Sequence, residues 1–263
     1  MRCELLTTLA KSDSERRPSD WALREDTDTL TCDQMKAERV YTIRGYRSSD
    51  RAAVRELCCR TGFLGEPIDP VYEDRELFAD FLTTYYTDHE PESSFVIEIE
   101  GELKGYLLGS RKPLLNQLYS FQQNIVLLVR SLLRYPRYNP RSKRFIRWMI
   151  MNGWREVPAA PARTPHFHIN LLPEARKIST TRALMSAYLG YLYRCGEKRV
   201  YGQIVTFESR RGEKMFERYG FKVMNRAEIT KYRAYYPKSV YLSTVIKNLE
   251  TAEPLSAYST LPP

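Results

Sequence analysis

The 263-residue sequence predicts one mixed α/β domain, and three observations carry that reading. Ser94-Phe-Val-Ile-Glu-Ile-Glu100 and Glu102-Leu-Lys-Gly-Tyr-Leu-Leu-Gly109 flank Gly101 as two strands around a glycine turn. Phe167-His-Ile-Asn-Leu-Leu172 reads as a buried strand. Ser179 to Cys195 follows as a helix with Ala183, Leu184, Ala187, Tyr188, Tyr191 and Leu192 on one face, and Gly196 stands where such a helix stops.

The remaining elements follow in chain order. Residues 39–249 form the ordered part, opening with Val40-Tyr-Thr-Ile-Arg44, which alternates like a strand. Ser48, Ser49 and Asp50 supply capping oxygens for a helix carrying Val54, Leu57 and Cys58. A second helix covers Glu73 to Tyr86, with Leu77, Phe78, Phe81 and Leu82 spaced for one face. After the hairpin, Leu114 to Tyr135 and Lys143 to Trp154 read as two helices broken by Pro136 and Pro140, and 158–165 as a proline-rich spacer. Lys198 to Val205 is a strand, Glu208 to Tyr219 a short helix ended by Gly220, and Phe221 to Lys247 gives the final strands. Residues 1–38 and 250–263 are polar and lack sustained periodicity, so both read as tails.

Charge is the most uneven property of the chain. The formal net charge is +9, yet no acidic residue lies between Glu102 and Glu156, while eleven basic residues run from Lys104 to Arg155. The basic character therefore belongs to one segment. Five cysteines, Cys3, Cys32, Cys58, Cys59 and Cys195, form an odd set without a C-x-x-C pair, which argues against a disulfide scaffold and for a reducing, cytoplasmic setting. The N-terminal run carries no apolar stretch of signal-peptide length. The longest uncharged stretch, Pro113 to Val129, is interrupted by five amides and makes a poor transmembrane span.

The strand before Pro173-Glu-Ala-Arg176, the helix from Ser179, the next strand and then Met215-Phe-Glu-Arg-Tyr-Gly-Phe221 together resemble the GCN5-related N-acetyltransferase (GNAT) superfamily. The resemblance covers about 40–248, less the basic segment. It implies a twisted, mostly antiparallel central sheet of about seven strands flanked by helices. It also implies acetyl-CoA as acyl donor, with no metal. In that family an Arg/Gln-x-x-Gly-x-Gly/Ala loop holds the cofactor pyrophosphate on backbone N–H groups at a helix N-terminus, where unsatisfied donors and the helix dipole both favour an anion. The corresponding residues are Arg176, Lys177, Ile178, Ser179, Thr180, Thr181 and Arg182, with Ser179 and Thr181 at the glycine positions. Backbone amides around Leu171 and Leu172 are implied to line the pantetheine arm. Ser209 and Phe216 fall on the second cofactor signature. Phe216 replaces the tyrosine that protonates the leaving thiolate, which leaves Tyr219 as the candidate general acid. Ser179 and Thr181 also read simply as helix caps, and Phe216 and Phe221 as core.

His166-Phe-His168 places two of three histidines at i and i+2, on one strand face with Asn170. Imidazole titrates in the range needed to take a proton from an amine before it attacks a thioester. Arylalkylamine members of the superfamily carry a similar His-x-His on the corresponding strand, which implies His168 as general base with His166 assisting. The competing reading is a pair of hydrogen-bonding core histidines. Metal binding is disfavoured, since only His89 and scattered cysteines could complete a ligand set.

Where the family has a short turn after the strand ending near Ser110, this chain inserts residues 111–162. Leu127, Leu128, Leu132 and Leu133, then Phe145, Ile146, Trp148, Met149 and Trp154, stand among arginines. Such a pattern over 111–155 suits a helix on an anionic membrane surface, an acidic acceptor, or a helical lid whose charges are merely solvated. Nucleic acid is disfavoured, because no binding motif accompanies the charge. Two functions emerge. One is an N-acetyltransferase acting on an amine, soluble or peripheral to a membrane. The other is a catalytically degenerate protein of the same fold that serves as a membrane or partner-binding module.

Overall fold

The computed structural model describes residues 41–207 and 211–249, so the tails read at 1–38 and 250–263 lie outside the described residues. Its strands are β1 (Tyr41–Gly45), β2 (Ser94–Ile99), β3 (Glu102–Ser110), β4 (His166–Leu171), β5 (Arg199–Phe207), β6 (Lys222–Glu228) and β7 (Val240–Asn248). They form one seven-stranded sheet in the order β1-β2-β3-β4-β5-β7-β6. Every pairing is antiparallel except β4 with β5. The helices are α1 (Arg51–Thr61), α2 (Arg75–Asp88), α3 (Pro113–Arg134), α4 (Pro140–Met151), α5 (Ile178–Arg194) and α6 (Arg211–Arg218).

The sheet lies between two helical layers, and the strand period of two decides what each receives. Val96, Tyr106 and Leu108 point to α1 and α2 and join Val54, Leu57, Leu77 and Leu82. Ile97, Leu107, Phe167 and Ile169 point the other way, against Leu184, Tyr188 and Leu192 of α5 and Phe216 of α6. On β4 this alternation puts His166, His168 and Asn170 on the α2 side, opposite Phe167 and Ile169.

The β2–β3 hairpin turns at Glu100 and Gly101, both with positive φ (55° and 77°), as the twist of a two-residue hairpin requires. Gly109 is fixed by space: a Cβ there would lie 2.3 Å from the Tyr188 ring and 2.7 Å from the Ser93 carbonyl.

The insertion departs from expectation at its helix starts. Pro113 and Pro140 are the first helical residues of α3 and α4, where a missing N–H and a fixed φ cost nothing. Asn139 caps α4 by accepting from Ser142 N at 2.8 Å. α4 ends at Met151, so Trp154 lies past the helix rather than on its face. Leu127, Ile146 and Trp148 turn inward against the domain, and the Trp148 indole donates to Thr230 Oγ1 at 2.9 Å.

A carboxylate that no motif marks fixes the root of the insertion. Glu90 is wholly buried. It accepts from Tyr85 OH (2.9 Å), Ser93 Oγ (2.9 Å), Ser110 Oγ (2.8 Å) and the backbone N–H groups of Arg111 (2.6 Å) and Lys112 (3.2 Å). The last turn of α2, the end of β3 and the start of α3 thus share one acceptor. Glu90→Gln replaces one carboxylate oxygen by an NH2 facing donors, so it should lower stability by about 2–3 kcal/mol. Urea unfolding of the two proteins checks this.

Candidate active site

β4 and β5 pair at only two positions, His166 with Tyr201 and Phe167 with Gly202, and no further β4–β5 rung forms among the described residues. Past Phe167 the two parallel strands part, opening a wedge toward their C-terminal ends. β3 stays paired with β4 through Leu171, and β7 with β5 through Phe207, so the wedge is cut into an otherwise continuous sheet. Leu172 N donates to the Lys104 carbonyl at 2.9 Å, which turns the Leu172 amide toward β3. Successive amides of a strand face opposite edges, so Leu171 faces the wedge and Leu172 does not.

A single turn of 3-10 helix, Pro173–Ala175, carries the chain from β4 to α5. No residue from 172 to 182 has positive φ, so this loop needs no glycine for its path. Lys177, Ile178, Ser179 and Arg182 are exposed at the start of α5. The first intrahelical donor is Thr181 N, to the Lys177 carbonyl, which leaves the N–H groups of Ile178, Ser179 and Thr180 without a helical acceptor, as at any helix N-terminus. Thr180 and Thr181 are buried. Thr180 Oγ1 accepts from Lys177 N at 3.3 Å, the N3 half of a capping box, and its hydroxyl lies 2.6 Å from the Ala175 carbonyl. Arg176 turns away from the helix start: its Nε donates to the Leu171 carbonyl at 2.9 Å and its Nη2 to the Gly65 carbonyl. Burial lowers its pKa, with Glu66 and Glu174 pulling the other way.

The residues present fit an anionic cofactor in part. Exposed amides, Ser179, Lys177 and Arg182 gather at the α5 N-terminus, and they would hold a pyrophosphate through N–H donors, a hydroxyl and two cations. Tyr219 reaches this spot as well, its hydroxyl 3.4 Å from the Ile178 carbonyl. Burial raises its pKa, with Arg182 and Arg218 opposing. Phe216 is 1% exposed and meets Phe221 and Tyr219 edge to face, so its ring belongs to the core. Ser209 lies outside the described residues.

The histidines converge with three tyrosines that sequence reading passed over. Tyr86 of α2 meets His166 Nε2 through its hydroxyl at 2.9 Å, and its ring lies 4.8 Å from that of His168. Tyr106 of β3 receives a hydrogen bond from Asn170 Nδ2 at 2.7 Å and lies 5.8 Å from the His168 ring. Tyr201 of β5 lies 5.4 Å from His166 across the paired rungs. The only sequence signal for Tyr86 was its place on α2, four residues past Leu82, where it continues the apolar face. His166 is 7% and His168 1% exposed, and His166 Nδ1 and His168 Nε2 have no hydrogen-bond partner. Burial pushes His166 down to about 4, and burial with the neighbouring His166 holds His168 well below the usual histidine range. Both rings are therefore neutral at physiological pH, each with one nitrogen lone pair. Among the described residues no three His, Cys, Asp or Glu side chains converge as a metal site.

No protein-family model and no curated protein matches the sequence. Solved structures do resemble the chain. SsHAT is 26% identical, with 81% of this chain and 99% of that chain covered and a TM-score of 0.57. yncA of Salmonella typhimurium, solved with its cofactor acetyl-CoA, is 16% identical over 81% and 95% with a TM-score of 0.48. The polyamine N-acetyltransferase of Drosophila melanogaster is 12% identical over 80% and 100% with a TM-score of 0.48. The seven-stranded, mostly antiparallel sheet with its flanking helices, shared with SsHAT over 81% of this chain, is the fold of the GNAT acetyltransferases.

The buried histidines set a pH dependence of stability. In the unfolded chain His166 titrates near 6.5, and in the fold at about 4, so between those values the unfolded state binds more protons. Stability is full above about pH 6.5 and falls as the pH drops toward 4, by roughly 3 kcal/mol for this group. Urea unfolding across that range should show the slope, and His166→Gln should reduce it by the share of this group, leaving that of His168.

Proposed function

We propose that the protein is an N-acetyltransferase that moves an acetyl group from acetyl-CoA to an amine. The observation that carries this reading is the wedge between β4 and β5, with the α5 N-terminus at one side and the neutral His166–His168 pair on the strand beside it. Acetyl-CoA, when bound, supplies a thioester carbonyl for the amine to attack and a thiol as leaving group.

The chain's own residues have separable tasks. The amides of Ile178 to Thr180, with Lys177, Ser179 and Arg182, bind the pyrophosphate, and the Leu171 edge of β4 orients the pantetheine arm. Arg176 is a positioning residue, because its bonds to the Leu171 and Gly65 carbonyls tie the end of β4 to the turn after α1. His168 accepts the proton of the arriving ammonium at its unpartnered Nε2. His166 assists, held by the Tyr86 hydroxyl. The Tyr219 hydroxyl lies beside the Ile178 carbonyl at the pyrophosphate end, so it joins the phosphate-binding groups, and protonation of the thiolate is not assigned to it. A desolvated imidazole is a weak base, so proton transfer depends on the acceptor entering the same low-dielectric space, where the ammonium is disfavoured as well.

Calorimetry with acetyl-CoA tests the first half of this reading, and absence of binding at millimolar cofactor overturns it. For the second half, His168→Ala should depress turnover of a responsive amine by about 100-fold or more. Affinity for acetyl-CoA should stay unchanged. Unaltered turnover removes His168 from the role.

A further inference from the structure

α3 turns most of its apolar surface outward. The side that meets α2 carries Gln123, Arg130 and Arg134 together with Leu127 and Tyr119. Gln123 Nε2 donates to the Asp80 carbonyl at 2.7 Å, and Arg130 and Arg134 pair with Asp80 and Asp74 at 3.0 and 2.8 Å. The side that faces solvent carries nine large apolar side chains from Leu114 to Leu133, each 48–75% exposed, and no charged residue. A surface helix ordinarily turns its apolar stripe to the core. Here 22 residues, about 33 Å of helix, turn it outward.

Charge on the neighbouring helix says what covers it. Among the described residues, the ion pairs of the acid-free stretch are made by Lys104, Arg111, Lys112, Arg130 and Arg134. Among the described residues, Arg137, Arg141, Lys143, Arg144 and Arg147 have no carboxylate partner. Exposed Ile150 shares a cleft of about 170 Å³ with Leu128 of α3. Lys143, Arg147 and Met151 follow Ile150's flank of α4 at spacings of three and four residues. Lys143 and Arg147, on the flank of α4 that Ile150 brings to the edge of the apolar stripe, thus stand there without a carboxylate partner among the described residues. A second copy of this face would bring the same cations together with no acid to meet them. No described helix is long and apolar enough to cross a membrane.

We propose that the outer face of α3, with the basic flank of α4, is the seat of the protein on an anionic lipid bilayer, α3 lying in the plane with Leu118, Phe121, Ile125 and Leu132 immersed and the arginines at headgroup level. The proposal is independent of acetyl transfer and survives if the protein binds no acetyl-CoA.

Co-sedimentation of the full chain with vesicles tests it, using phosphatidylcholine alone and an equal mixture of phosphatidylcholine and phosphatidylglycerol. Pelleting is expected with the mixed vesicles and at least tenfold less with the neutral ones. Leu118→Glu with Ile125→Glu, both on exposed positions, should abolish pelleting while leaving the thermal unfolding midpoint in place. Arg147→Gln should weaken partitioning about fivefold. Absence of pelleting, equal pelleting on both vesicles, or pelleting retained by the double glutamate variant overturns the proposal. So does a dimer in size-exclusion chromatography that the same variant dissolves.

Discussion

Two residue pairs, His166 with Tyr201 and Phe167 with Gly202, join the halves of the sheet. Parallel strands need a long crossover, and α5 supplies it, so the chain that leaves β4 must pass the mouth of the gap before it reaches β5. That constraint brings the helix start, with its unpaired amides, to the strand that bears the histidines. Had the strands stayed paired past Phe167, the Leu171 edge would be covered and α5 would begin over a closed sheet. The site is therefore a property of incomplete pairing, held open by well-paired antiparallel strands on either side.

The strands and most helices were legible in the sequence because their signals are local. The Gly101 turn, the apolar spacing of α5 and Gly196 all act within a few residues, and the structure follows them closely. The prolines misled at the insertion, since Pro136 and Pro140 read as breaks while Pro140 begins a helix. His166, His168 and Asn170 were readable as one face by alternation alone. Their partners were not. Tyr86, Tyr106 and Tyr201 come from three separate elements, and nothing local marks them as neighbours. Arg176 shows the opposite failure. The motif placed it on the phosphate loop, and its long side chain instead reaches back to two carbonyls that only the fold brings near.

The acidic edge of α2 decides the attitude of the insertion. Asp74 receives both Arg134 and the Tyr138 hydroxyl, Glu73 receives the Asn139 side chain and amide, and Asp80 takes Arg55 and Arg130. Single exposed ion pairs contribute little, but a network shared by several elements fixes orientation. Orientation is what matters here, because a helix held by its polar side has its apolar side directed outward. The composition alone showed that the segment was amphipathic; the carboxylates opposite it, far away in sequence, show which way it faces.

Tyr85 and Tyr86 are adjacent on the last turn of α2, and they look in different directions. One hydroxyl ends on Glu90, at the root of α3, and the other on His166. A single helical turn is therefore common to the buried imidazole and to the anchor of the outward-facing helix. Glu90 is tied to Tyr85 twice, accepting from its hydroxyl at 2.9 Å and donating its N–H to its carbonyl at 3.2 Å, and the Tyr86 backbone adjoins that of Tyr85. The basic insertion is not an appendage hung on a finished domain: from its first amides a path runs through Glu90, Tyr85 and the adjoining Tyr86 to His166, the neighbour of the candidate base.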